Sequence, residues 1–184
     1  MRTIPGTRNV LLAVLVMAVA GISACKDDKN DEPDLASQDQ TFSTAAAASN
    51  LAEIRFGQLA LSKSTNDSIL IFAGTMVTEH TKANKQLDSL AKRLNVSLPD
   101  SMDAAHITLY NKLSGMTNNA FDSAYIQSQV MDHQAAQTLM QTQISNGKNM
   151  DLVEYANKNL PAINMHLQQA LNLRTYINSS QQRP

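Results

Sequence analysis

Between residues 42 and 177 apolar side chains recur at three- and four-residue steps, in long blocks parted by short polar breaks. That period belongs to helices burying one face. From Phe42 to Ser62 the line Ala45, Ala48, Ala52, Phe56 and Leu59 predicts a first helix, with Glu53 at the margin of its apolar face. Thr65-Asn66-Asp67 then supplies a break and an N-cap. A second stripe runs through Ile69, Phe72, Ala73, Met76, His80, Ala83, Leu87, Leu90, Ala91 and Leu94. His80 falls near its centre and Glu79 at its edge. Lys92 and Arg93 complement the C-terminal dipole before Asn95 ends the helix.

Val96 to Asp100, with Pro99, is a connector, and Ser101 to Leu113 predicts a short helix closed by Ser114-Gly115. Its His106 reads as a surface or packing histidine. A third long helix runs from Asn118-Asn119 to Asn146-Gly147, with Phe121, Tyr125, Asp132, Ala136 and Leu139 on one line. Ile126, Val130, His133, Met140 and Ile144 form the adjoining line. The fourth begins at Asn149-Met150-Asp151 and presents Leu152, Ala156, Leu160, Ile163, Leu167, Ala170 and Ile177, with His166 on the same broad face. Pro161 has no N–H to give the Asn157 carbonyl and predicts a bend one turn before His166. The expected fold is all-α: a four-helix bundle with a short extra helix between the second and third long helices.

Composition sharpens this picture. The chain has 184 residues and 43% hydrophobic content, enough for one packed domain with extensions. Only 4% is aromatic and none is Trp, which favours close-packed helices over a sandwich or barrel. A net charge of −1 offers no field for nucleic acid, and that class of partner is excluded. The single cysteine, Cys25, cannot form an internal disulfide.

The surroundings of Cys25 suggest a different use. Arg2 and Arg8 precede an apolar run from Val10 to Ala20, too short to span a membrane comfortably but suited to a secretory signal. Ile22-Ser23-Ala24-Cys25 follows and resembles the bacterial lipobox, in which the cysteine is lipidated and becomes the first mature residue. An ordinary signal cut after Ala24, or an uncleaved anchor, are the alternatives. From Lys26 to Gln40 six acids stand against two lysines with almost nothing apolar to bury, which predicts a solvated tether. This run resembles the surface-export signal of lipoproteins in the Bacteroidetes, and a plain spacer explains it equally well. The expected organisation is a lipoprotein signal at 1–24, lipidated Cys25 and tether at 25–40, the bundle at 41–178 and a tail at 179–184. The expected location is the cell envelope, at the outer membrane on its periplasmic face or on the cell surface.

One pattern occurs twice: Val77-Thr78-Glu79-His80-Thr81-Lys82-Ala83 and Val130-Met131-Asp132-His133-Gln134-Ala135-Ala136 both place a carboxylate and a histidine at mid-helix. With Glu53 and His166, four long helices carry candidate ligands near their midpoints. Met76, one turn before His80, offers a soft donor, whereas Met131, Met140, Met150 and Met165 read as packing. Three imidazoles with carboxylates suit zinc, iron, manganese or copper. The opposing reading is a polar core of hydrogen-bonded histidines without metal.

Asn50-Leu51-Ala52-Glu53-Ile54, Met76 to Asn84, Leu98-Pro99, Ala120 to Tyr125, Asp132-His133, Leu160-Pro161 and His166-Leu167, in this order, resemble the bacterial domain-of-unknown-function family 4142. The family is grouped with ferritin-like four-helix proteins and commonly has Asp where Glu79 stands here. The resemblance implies a secreted or lipid-anchored ferritin-like bundle and brings no established reaction. Ferritin-like di-iron sites use Glu-x-x-His units, yet the residue three before His166 is Ile163. The acids of the two other pairs adjoin their histidines directly. No glycine-rich phosphate loop, Gly-x-Ser-x-Gly elbow or free thiol after lipidation is present. The leading expectation is an envelope binding protein with a metal in its core, and enzymatic activity is not legible. Its rivals are a metal-dependent oxidoreductase or stress-protective enzyme, and a structural or interaction lipoprotein.

Overall fold

The computed structural model describes residues 35–181; Cys25, the signal, most of the tether and residues 182–184 lie outside them. Five helices and no strand occur among the described residues: α1 Ser37–Lys63, α2 Asp67–Arg93, α3 Ala104–Ser114, α4 Asn118–Asn146 and α5 Met150–Gln181. None is long and apolar enough to cross a membrane. Three-residue breaks fold α1 back on α2 and α4 back on α5, giving two antiparallel hairpins. The hairpins pack α1 against α4 and α2 against α5. A crossover carrying α3 runs the length of the bundle, from the end of α2 to the start of α4 near Lys63, whose Nζ donates to the Met116 carbonyl. One such long crossover is the connectivity of ferritin-like bundles.

Local chemistry sets the boundaries. Asn66 Oδ1 caps α2 by accepting from the Ser68 and Ile69 amides at 3.0 and 3.3 Å. Asn95, with φ 53°, enters the left-handed region and stops α2 as expected. The α5 helix continues through Pro161 as one element, so the proline does not divide it. Gly57 allows α1 and α2 to approach: a Cβ there would lie 2.7 Å from Val77 Cγ2 and 2.9 Å from the Ala73 carbonyl oxygen.

The interior is two apolar clusters with a polar layer between them. Phe56, Ile69, Phe72, Met76, Phe121, Tyr125 and Ile126 fill one end, joined by Leu113 of α3. Phe42, Ala46, Leu87, Met140, Leu152 and Ala156 fill the other. His80, His133 and His166 lie between these sets along α2, α4 and α5, each fully buried. The methionine expectation needs correction. Met140 is core, but Met131, Met150 and Met165 are exposed at 59%, 72% and 45%.

The bundle also begins earlier than residue 41. The α1 helix starts at Ser37, and Asp39 is buried. Its carboxylate accepts from Gln143 Nε2 at 2.6 Å, from the Lys148 amide at 3.1 Å and from the Asn149 amide at 2.9 Å. An acid that reads locally as tether thus holds the start of α1 to the α4–α5 turn, next to the positive end of α5. At the other end α5 runs past residue 178 to Gln181. Asp39→Asn would set an NH₂ against backbone donors and leave at least one unsatisfied. The expected cost is roughly 2–4 kcal/mol in urea unfolding, with an unchanged slope.

Candidate metal centre

One nitrogen from each of His80, His133 and His166 lies within 4.8 Å of the others. Ring centroids are 5.4 to 5.6 Å apart. The hydrogen bonds made by the remaining nitrogens decide what the cluster can do.

The His80 tautomer follows from a chain that begins at a backbone carbonyl. Tyr155 donates its hydroxyl hydrogen to the Ala83 carbonyl at 3.3 Å, so its oxygen must accept from Asn50 Nδ2 at 3.2 Å. That turns Asn50 Oδ1 toward His80 Nδ1 at 2.9 Å, and Nδ1 is the donor. Burial pushes the Tyr155 phenol up to about 12, which keeps its proton in place. His133 Nδ1 donates to the Gln129 carbonyl one turn back on α4, at 2.9 Å. His166 Nε2 donates to Glu79 Oε2, also at 2.9 Å. Each ring has spent its N–H on the protein.

His80 Nε2, His133 Nε2 and His166 Nδ1 are therefore lone pairs, and none has a hydrogen-bond partner among the described residues. Burial lowers the pKa of all three imidazoles. The charged forms would also repel one another: His133 and His166 act on His80, and His133 acts on His166. Neutral imidazole is the state that ligates metal.

The carboxylates take separate places around this centre. Glu79 is partly exposed and backs His166. Glu53 is buried, with Oε1 at 3.9 Å from His133 Nδ1. Burial drives its carboxyl up to about 7, against the opposing influence of the Gln129 amide and His106. Gln129 is close enough to exert that pull, but neither of its side-chain polar atoms reaches hydrogen-bonding geometry. Asp132 is not among the groups that converge with the three histidines, and its Oδ1 lies 3.9 Å from His106 Nε2. Its carboxyl is also raised to about 7, chiefly by burial and then by Glu53.

His106 was expected at the surface or in packing. It is partly buried and does pack, hydrogen-bonded to Asp103 at 2.7 Å, with its ring 5.9 Å from that of Phe56. Asn50 and Tyr155, which fix His80, were not singled out from the sequence. Their signal was weak: Asn50 sits one turn before Glu53, a spacing shared by many unrelated helix positions.

The layer opens on one side. A cleft of about 440 Å³ between α2 and α5 is lined by Asn50, Glu79, His80, Tyr155 and His166.

Fold and centre together define a helical bundle with a buried three-histidine cluster. The chain belongs to the family described as Domain of unknown function (DUF4142), whose model matches residues 24–173. Solved structures share the fold. A DUF305 fragment from Deinococcus radiodurans superposes with a TM-score of 0.69 at 10% identity, over 78% of this chain and 99% of that one. CopM in its Cu(I)-bound form gives 0.63 at 15%, over 75% and 96%. CopM in its Ag-bound form gives 0.62 at 16%, over the same shares. No curated protein matches the chain.

The raised Glu53 carboxyl has a testable sign. The folded protein holds this proton up to about pH 7, whereas the unfolded chain releases it near the ordinary value of 4.5. Glu53 therefore contributes stability at low pH that is lost as pH rises through 7. Glu53→Gln removes the ionisation. Relative to wild type, the metal-free variant should gain roughly 2–3 kcal/mol between pH 5 and pH 8 in urea unfolding. A difference independent of pH would show that Glu53 ionises freely in the fold.

Proposed function

We propose that this protein is a lipid-anchored cell-envelope protein that binds one transition-metal ion through His80, His133 and His166, and that copper(I) suits the site best. The observation that carries the reading is that three buried imidazoles each bring one nitrogen within 4.8 Å of the others, and each keeps one buried nitrogen without a hydrogen-bond partner. Leaving such acceptors unsatisfied in a core is costly, and a cation at their focus satisfies all three. Imidazole nitrogen ligates at about 2 Å, so each nitrogen needs to move less than about 1 Å inward.

Charge favours a monovalent ion. Three neutral imidazoles leave the full charge of the metal in a layer bounded by apolar clusters, and Glu79 behind His166 supplies one negative charge. Copper(I) is balanced by that carboxylate alone, whereas zinc(II) would also require buried Glu53, 3.9 Å from His133, to give up its proton. The CopM structures, similar in fold, are of Cu(I)- and Ag-bound forms.

Apoprotein titrated anaerobically with copper(I) against a chromophoric chelator should take up one equivalent. His80→Ala and His133→Ala should each weaken binding by roughly 100-fold or more while keeping wild-type helicity. Equal affinity in wild type and both variants would leave the cluster as a hydrogen-bonded polar core.

The anchor rests on Cys25, outside the described residues, and on the lipobox-like sequence before it. Acyl chains contribute about 0.8 kcal/mol for each buried CH₂. Cys25→Ser should abolish fatty-acid labelling and release the protein from the membrane fraction; retention after a salt wash, at mature size, would overturn the lipoprotein assignment.

A further inference from the structure

The cleft over the histidines is larger than a bare ion requires. It continues outward along the α2–α5 seam into a groove of about 900 Å³, the two sharing Thr78, Lys82, Gln86, Tyr155, Lys158 and Asn159 as lining residues. Cavities of this scale accommodate small organic molecules. At the inner end stand His80 and His166 but not His133, so an ion at the centre would face the groove past two of its three ligands.

The walls are polar and their charge is unbalanced. Lys82, Lys85, Arg93 and Lys158 face Asp151 and Glu154. Arg93 is taken up by Asp151 at 2.9 Å, and Lys158 by Glu154. The ammonium groups of Lys82 and Lys85 form no ion pair or hydrogen bond among the described residues. These two adjacent turns of α2 present ammonium groups along the approach to the histidines, while Glu79 at the inner end is already engaged by His166.

The geometry points to this groove as a docking site for a small anionic chelate of the metal, a carboxylate-bearing complex that Lys82 and Lys85 attract and from which the histidines take the ion. The inference rests on the copper(I) reading above. Ligand exchange suits the arrangement: the incoming complex keeps its donors on the open side while His80 and His166 replace them in turn, with no change of oxidation state. Freed of the cation, the chelator leaves carrying more negative charge. A positive wall that held it permanently would block turnover of the port, and two exposed lysines in water give attraction without tight retention.

The test compares two copper(I) donors of opposite charge, the anionic bis(bicinchoninate) complex and the cationic acetonitrile complex, with wild type and the double variant Lys82→Glu/Lys85→Glu. Stopped-flow loss of bicinchoninate colour should slow about tenfold in the variant at low ionic strength, and the difference should collapse at high salt. From the acetonitrile complex the variant should still fill to one equivalent, and no more slowly than wild type. Equal bicinchoninate rates in the two proteins would overturn the anionic port while leaving the metal site standing. Slowing with both donors would also overturn it, because charge of the donor would then be irrelevant. If neither protein takes copper from acetonitrile, the copper(I) reading fails first, and the docking inference falls with it.

Discussion

Each of three imidazoles in this bundle is held by its own N–H, and the rest of the centre depends on that constraint. A histidine free to rotate or change tautomer could satisfy itself elsewhere. Here the Ala83 carbonyl, acting through Tyr155 and Asn50, fixes His80. A turn of α4 fixes His133, and a carboxylate fixes His166. Burial then disfavours the protonated forms, so neither rotation nor a proton relieves the convergence of lone pairs. The polar layer is tolerable because an apolar cluster on each side supplies the packing that the layer does not.

The long helices were legible in the sequence because each buries a stripe at the helical period, and that period survives any detail of packing. The histidines were legible for the same reason: His80, His133 and His166 lie on those stripes near mid-helix, and antiparallel neighbours bring midpoints to one level. The carboxylates were harder to place. Glu79 and Asp132 each precede a histidine by one residue, which turns them by about 100° around the helix. One rotation carries Glu79 toward α5 and His166; the other carries Asp132 toward α3 and His106. Which neighbour waits there depends on how the crossover lies over the bundle, and no local period encodes that.

Asp39 marks the same limit from another side. Its neighbours in sequence are polar, and its partners stand 104 to 110 residues away. Composition assigned it to the tether because a buried acid is distinguished from an exposed one only by its distant donors. Met131, Met150 and Met165 err in the opposite sense, being hydrophobic by type yet solvent-facing. The exposed seam between α2 and α5, with its unpaired lysines, was likewise invisible, since helical spacing says which residues share a face but not how closely two faces meet.

The division of the histidines between the hairpins has a consequence for assembly. The α1–α2 hairpin brings only His80, and the α4–α5 hairpin brings His133 and His166. Each hairpin can form from contacts local in sequence, but the cluster exists only after the two have docked across the crossover, a step slowed by the loop that must close. An ion held by all three rings would then be a cross-link between independently formed halves, absent until the final encounter. Interactions of that kind act mainly on the rate at which the halves come apart, so an ion bound as proposed would set the lifetime of the assembled bundle more than the speed of its formation.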